Sequence, residues 1–174
     1  MQLGTDFDAF VRVASPGLLR TAYLLCGDQG HAEDLLQTTL LRTARRWSSA
    51  REHPTAYARR VLVNLAKDRW RDRSRRPVEL SDTDFDVGRH DEHAQIDLRH
   101  TLLPLVLTLP ARQRAVLALR FFDDLSVEET ALAMGCSTGT VKSQTHAALA
   151  RLRLLLADNP MSEDVLKEID HADR

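Results

Sequence analysis

Apolar side chains recur along this chain at three- and four-residue steps and not in sustained alternation, so the pattern predicts helices and no strands. Phe7, Phe10, Val11 and Ala14 share one stripe and predict a helix over Asp6–Ala14. Ser15-Pro16 reads as a cap followed by proline at a first helical position, which would start a second helix, Pro16–Leu25, ended near Cys26-Gly27-Asp28. Gly30-His31 opens a third, running to about Trp47, with Leu35, Leu36, Leu40, Leu41 and Ala44 on its apolar face. Ser48–Pro54 is a turn-rich break. Thr55–Ser74 is helical again: Ala58, Val61, Leu62 and Leu65 form its apolar stripe, and Arg60, Asn64, Lys67 or Asp68, and Arg71 step around a polar face.

Beyond Arg75-Arg76-Pro77 the periodicity stops. Pro77–Gln95 has few aliphatics and many acids and reads as a mobile linker. Helices resume over Ile96–Leu109 and Arg112–Phe122, then a short one from Val127 and a longer one from Thr138 to Leu156. Asn159-Pro160 ends the last, and Met161–Arg174 forms an acidic tail. The expected fold class is all-α, with two small helical domains at 1–76 and 96–157, a linker at 77–95 and a tail at 158–174. A length of 174 residues suits two such units, each with a thin core.

The segment from Ser126 onward carries a sharper signal. Ser126-Val127-Glu128-Glu129 is a capping box. Gly135 is placed to take the left-handed conformation of a tight turn, and Ser137 caps the next helix. Ala131, Gly135 and Val141 follow the spacing of a helix-turn-helix: a small residue where two helices meet, a glycine in the turn and an aliphatic wedge between them. The second helix can then enter a major groove, with Thr138, Thr140, Lys142, Ser143, Gln144 and His146 as its polar candidates. Ser, Thr and Lys suit phosphates, and Gln144 suits an adenine edge.

Net charge is close to zero, but it is unevenly spread. Arg59–Arg76 holds eight basic and two acidic residues, whereas Pro77–Leu98 holds seven acids and one arginine. Arginines beside Tyr57 and Trp70 suit opened DNA, whose unstacked bases can lie on rings. Ala32-Glu33-Asp34-Leu35-Leu36-Gln37 places acids in the first turn of its helix, which the helix dipole favours.

Several function classes fall away. No apolar run is long enough for a membrane span, and the N-terminus lacks a secretory pattern, so a cytoplasmic protein is expected. Cys26 and Cys136 form no CxxC pair and read as buried thiols rather than a disulfide or zinc site. His90-Asp91-Glu92-His93 with His100 lacks the HExxH spacing and reads as acidic linker, so no metal is expected. No nucleophile elbow, phosphate loop or dinucleotide fingerprint occurs; neither enzyme activity, a cofactor nor a small-molecule substrate is expected. An ordinary helix-turn-helix regulator binding operator DNA remains the alternative, although the residues before Leu109 lack the βα alternation of a receiver domain.

GDQGHAEDLLQTTLLRTARRW, PTAYARRVLVNLAKDRWRDRSRR and LPARQRAVLALRFFDDLSVEETALAMGCSTGTVKSQTHAALARLR occur in that order. Together they resemble the extracytoplasmic-function sigma-70 factors of bacterial RNA polymerase, especially a SigE-like group, over about Asp6 to Leu156. The resemblance implies a region 2 and a region 4 joined by a flexible linker that threads toward the RNA exit path. It implies that Glu33, Asp34, Gln37 and Thr38 dock on the β′ clamp helices of core polymerase. It further implies that Ser48–Pro54 and the following helix capture the melted −10 element, with Tyr57, Arg60, Asn64, Lys67 and Asp68 at matching positions. Arg71 joins them from the polar face alone. The helix-turn-helix would read the −35 duplex and meet the β flap. Members often carry arginine where this chain has Gln144 and Ala147, so phosphate attraction by this recognition helix should be weaker. No room remains for the segments called region 1.1 and region 3, and such a chain is commonly held by an anti-sigma factor.

Overall fold

The computed structural model describes residues 4–75 and 102–156. Among these the elements are helical: α1 (Thr5–Cys26), α2 (Gln29–Arg45), α3 (Trp47–Ala50), α4 (Pro54–Arg75), α5 (102–107), α6 (Ala111–Leu117), which continues as a π-helical turn over Ala118–Phe122, α7 (Val127–Met134) and α8 (Thr138–Leu156). The segment 77–95, the tail 158–174, the residues 96–101 and the cluster His90–His93 with His100 lie outside the described residues.

Two boundaries differ from the sequence expectation. Ser15-Pro16 does not divide two helices; α1 runs through it. A proline inside a helix leaves the carbonyl four residues back without its amide partner. Here Pro16 and Arg12 are both exposed, so water can serve that carbonyl, and the Ser15 hydroxyl donates to the Val11 carbonyl at 2.5 Å. The helix ends at Gly27, whose φ of 74° is left-handed and whose amide returns to the Tyr23 carbonyl. The break at 48–54 is also partly helical, since α3 supplies one short turn of it.

Asp28 caps α2 by accepting from the His31 amide at 2.8 Å. The bundle of α1, α2 and α4 buries Leu18, Ala22, Leu25, Ala32, Leu35, Ala58 and Leu62. At its end, Phe7 meets Trp47 edge-on with centroids 5.0 Å apart, and Phe10 joins them at 5.5 Å from Trp47. Leu41 is the exception on α2: it lies 61% exposed rather than on the inner stripe. It follows Gln37 and Thr38 by one turn, so it shares their outer face.

The second half is built by α5 to α8. Val106, Leu109, Leu117, Ala148, Leu149, Leu152 and Leu156 form one cluster, which Leu24 of α1 enters. The two halves are not separate bodies. Ala115, Val116, Leu119, Ala131, Met134 and Val141 share a core with the bundle's Leu25, Leu62, Val63 and Ala66. α4 packs on α1 and α2 and also on α7, so it buries two stripes. That is why Val63 and Ala66 are fully buried although they lie off the expected apolar stripe.

Candidate nucleic-acid interface

The helix-turn-helix has the expected local chemistry. The Ser126 amide donates to Glu129 Oε2 at 2.8 Å, and the Glu129 amide donates to Ser126 Oγ at 3.0 Å. Gly135 is left-handed, with φ 60° and ψ 46°, and the Cys136 amide donates to the Ala131 carbonyl at 3.1 Å. Ser137 then accepts from the Thr140 amide at 3.1 Å. Val141 is fully buried between α7 and α8, and Ala131 is buried where they meet.

This turn leaves the N-terminal end of α8 outside. Thr138, Lys142, Ser143 and His146 are exposed, while Thr140 and Gln144 are half-buried at the edge of that face. Two hydroxyls are partly committed: Thr140 pairs with Ser137 at 2.9 Å, and Ser143 donates to the Thr140 carbonyl. Each keeps lone pairs for a further donor.

On α4, Arg60, Asn64, Asp68 and Arg71 are exposed, and Arg71 pairs loosely with Asp68 at 3.3 Å. Tyr57 and Lys67 are half-buried, because this flank faces α7. Lys67 Nζ donates to the Met134 carbonyl at 2.5 Å, the last turn of α7. Tyr57 and Arg60 line a groove of about 350 Å³ with His53, Glu129 and Leu132. The expected single polar face is thus split into an open edge and a covered one.

Glu33, Asp34 and Gln37 project from α2 into solvent, with Thr38 half-buried beside them. Gln29 Nε2 donates to Glu33 Oε1 at 2.6 Å, which steadies the first turn. Leu41 extends this face with an apolar spot. The signal for it was its spacing of three and four residues from Thr38 and Gln37.

Asp123 has no counterpart among the expected site residues. Its side chain is only 4% exposed, and it accepts from Thr21 Oγ1 at 3.0 and 3.1 Å and from Arg59 Nε at 3.0 Å. Burial pushes its carboxyl above the ordinary carboxylate range, with Arg59, Thr21 and Arg20 pulling the other way. Burial also pushes the Cys26 thiol up, and its Sγ donates to the Ala22 carbonyl at 3.0 Å. Cys136 is half-buried. Among the described residues no group of metal-binding side chains gathers, and no helix is long and apolar enough to cross a membrane.

The sequence matches the family described as Sigma-70 region 2 over residues 10–76 and that described as Sigma-70, region 4 over residues 99–152. It is 41% identical to the RNA polymerase sigma-E factor of Streptomyces avermitilis over 153 residues, covering 85% of this chain and 83% of that one. The chain belongs to the sigma-70 family. This sigma factor is also 40% identical to the sigma-E factor of Streptomyces coelicolor, over 85% and 84% of the two chains. Its fold is similar to the sigma factor RpoE of Bartonella quintana, solved with the anti-sigma factor NepR: the TM-score is 0.69 at 25% identity, over 90% of this chain and 99% of that one. The region 2 match takes in α2 and α4, and the region 4 match takes in the helix-turn-helix.

Proposed function

We propose that this sigma factor is a non-catalytic, cytoplasmic specificity subunit that recruits core RNA polymerase to −35/−10 promoters and helps open the −10 DNA. Units 1–76 and 96–157 carry regions 2 and 4, joined by 77–95 and followed by an acidic tail, 158–174. The observation that carries the reading is the pairing of a fully built helix-turn-helix with a separate arginine- and asparagine-bearing face on α4. An operator-binding regulator needs the first and has no use for the second.

In this reading Thr138, Thr140, Lys142, Ser143, Gln144 and His146 meet the −35 duplex, with Ser, Thr and Lys on phosphates and Gln144 at a base edge. Tyr57 offers a ring to an unstacked base of the −10 strand, while Arg60, Lys67 and Arg71 follow its phosphates. Asn64 and Asp68 supply hydrogen bonds to exposed base edges. Glu33, Asp34, Gln37 and Thr38 dock on the β′ clamp helices of the core, and Leu41 adds an apolar anchor to that contact. Region 4 meets the β flap. An anti-sigma factor is a further partner, in line with the complex formed by the Bartonella relative.

Reconstitution tests this directly. The full chain is mixed with core polymerase and a promoter library, and initiation is mapped. Promoter-dependent initiation that vanishes without the chain is the expected result. Duplex binding with no effect on core recruitment would overturn it.

A further inference from the structure

α8 carries two stripes. Val141, Thr145, Ala148, Leu149, Leu152 and Leu156 are buried against α6 and α7. Ser143, Ala147, Ala150 and Leu154 follow one another at steps of four, three and four residues on the opposite side, since a helix turns by about 100° per residue. Leu154 is 74% exposed, and Ala147 and Ala150 are small enough for another helix to approach closely. An apolar row of this kind is a docking surface rather than a scattered exposed residue. It is continuous with the candidate DNA face, because Ser143 belongs to both. Exposed Lys142 lies on one side of it and exposed Arg151 on the other.

The chain itself supplies a segment of matching chemistry. The tail 158–174 follows α8 directly and lies beyond the region 4 match. It holds six acids against one lysine and one arginine. Met161, Val165 and Ile169 recur at four-residue steps, so a helix over this sequence has one apolar stripe, with Glu163, Asp164, Glu168, Asp170 and Asp173 off it. Asn159-Pro160 breaks the helical pattern between the two and allows the chain to reverse. As a helix, Met161–Ala172 extends about 18 Å, and Leu154 back to Ser143 is about 17 Å, so a reversed tail reaches the DNA face.

We propose that the acidic tail folds back as a helix on the outer stripe of α8, seats Val165 and Ile169 on Ala147, Ala150 and Leu154, and competes with the −35 duplex for Lys142 and Ser143. The proposal rests on the reading of α8 as the −35 helix. Apolar burial holds the tail in place, and its attachment a few residues away gives it a high effective concentration, so a modest contact suffices. Its carboxylates then lie beside Lys142 and repel phosphate.

The test uses the full chain without polymerase, a chain ended at Ala157, and two full-chain variants, Leu154→Ser and Val165→Glu with Ile169→Glu. Circular dichroism checks that each is folded. Fluorescence anisotropy measures binding of a labelled, mixed-sequence DNA duplex pool, and hydrogen exchange read by mass spectrometry follows the tail amides. In the parent these amides should exchange about tenfold more slowly than in a free peptide, because the docked population that protects them also masks the duplex site. Both variants should lose that protection and, like the shortened chain, bind duplex about tenfold more tightly than the parent. The double variant is decisive. It adds two carboxylates, so a tail acting by charge repulsion alone would weaken duplex binding, and that result would overturn the docking. Tail amides of the parent exchanging at free-peptide rates would overturn it too, as would protection that grows with protein concentration, which would give the stripe to a second copy. Leu154→Ser in the shortened chain should leave duplex affinity unchanged, and a rise there would overturn the role of the tail. Lys142→Ala in the shortened chain tests the underlying reading separately. If duplex binding survives it while tail protection and its loss in Leu154→Ser persist, the −35 role of α8 fails and the docking itself stands.

Discussion

The helix-turn-helix and the α4 face present their candidate DNA-binding side chains in opposite ways. On α8 most of the candidate side chains stand clear because local chemistry creates the turn: two serine caps, Gly135 and Val141 lie within 16 residues of one another. On α4 the candidate residues follow helical spacing just as regularly, yet exposure divides them. Asn64, Asp68 and Arg71 are open, while Lys67 is tied to the end of α7 and Tyr57 is half-buried beside it. A recognition surface made by a short motif is thus available from its own sequence, whereas one made by a helix face is available only as far as its neighbours allow.

The comparison can be broken at its firmest point. Val141→Asp places a carboxylate in the fully buried wedge, and should cost about 3–5 kcal/mol of stability in region 4 and abolish duplex −35 binding. Thermal unfolding followed by circular dichroism and duplex anisotropy would read both losses. Retained duplex affinity would mean that the wedge does not set the angle of α8.

Reversing Glu33 and Asp34 to lysine should come next in size. Both are exposed on α2, so folding should be spared while core affinity falls by about tenfold or more, as for charge-matched interfaces. Titration against core polymerase checks it, with −35 duplex binding as the control; equal losses in both would remove the assignment. Asn64→Ala should lower open-complex formation several-fold, equivalent to about 1 kcal/mol for one lost hydrogen bond, with core affinity unchanged. Permanganate footprinting of the −10 strand is the measurement.

Ser126→Ala removes the cap of α7 and should cost about 1 kcal/mol, seen as a drop of a few degrees in the melting temperature. The smallest effect concerns pH. The raised Asp123 carboxyl means that the folded chain binds more protons than the unfolded chain between the ordinary carboxylate range and the raised value. Stability should therefore rise as pH falls through that window and level off above the raised value. Thermal unfolding against pH should show this slope in the parent chain and lose it in Asp123→Asn.

Much of this was legible without coordinates, and the exceptions share a cause. The caps at Ser126 and Ser137, the left-handed Gly135 and the helix Thr138–Leu156 stand where the spacing predicts, because each depends on residues within a few positions. Ser15-Pro16 misled because a proline rule describes average cost. Exposure lowers that cost here, because water can serve the Arg12 carbonyl. Leu41 misled because an apolar residue is read as inward by default, although its spacing also fits the outer face. Val63 and Ala66 lay off the expected stripe because a single stripe assumes a single partner.

Asp123 lay beyond sequence reasoning altogether. Its ion pair joins positions 64 apart in the chain and its bond to Thr21 joins positions 102 apart, and no periodicity connects them. The chain's own order of residues determines its helices, its turn chemistry and its family, since these follow from propensity, capping and spacing over short distances. Only the tertiary structure decides which faces remain open. That outcome depends on which surfaces meet once the helices exist, and on the burial that makes a carboxylate such as Asp123 seek donors in the other half of the molecule.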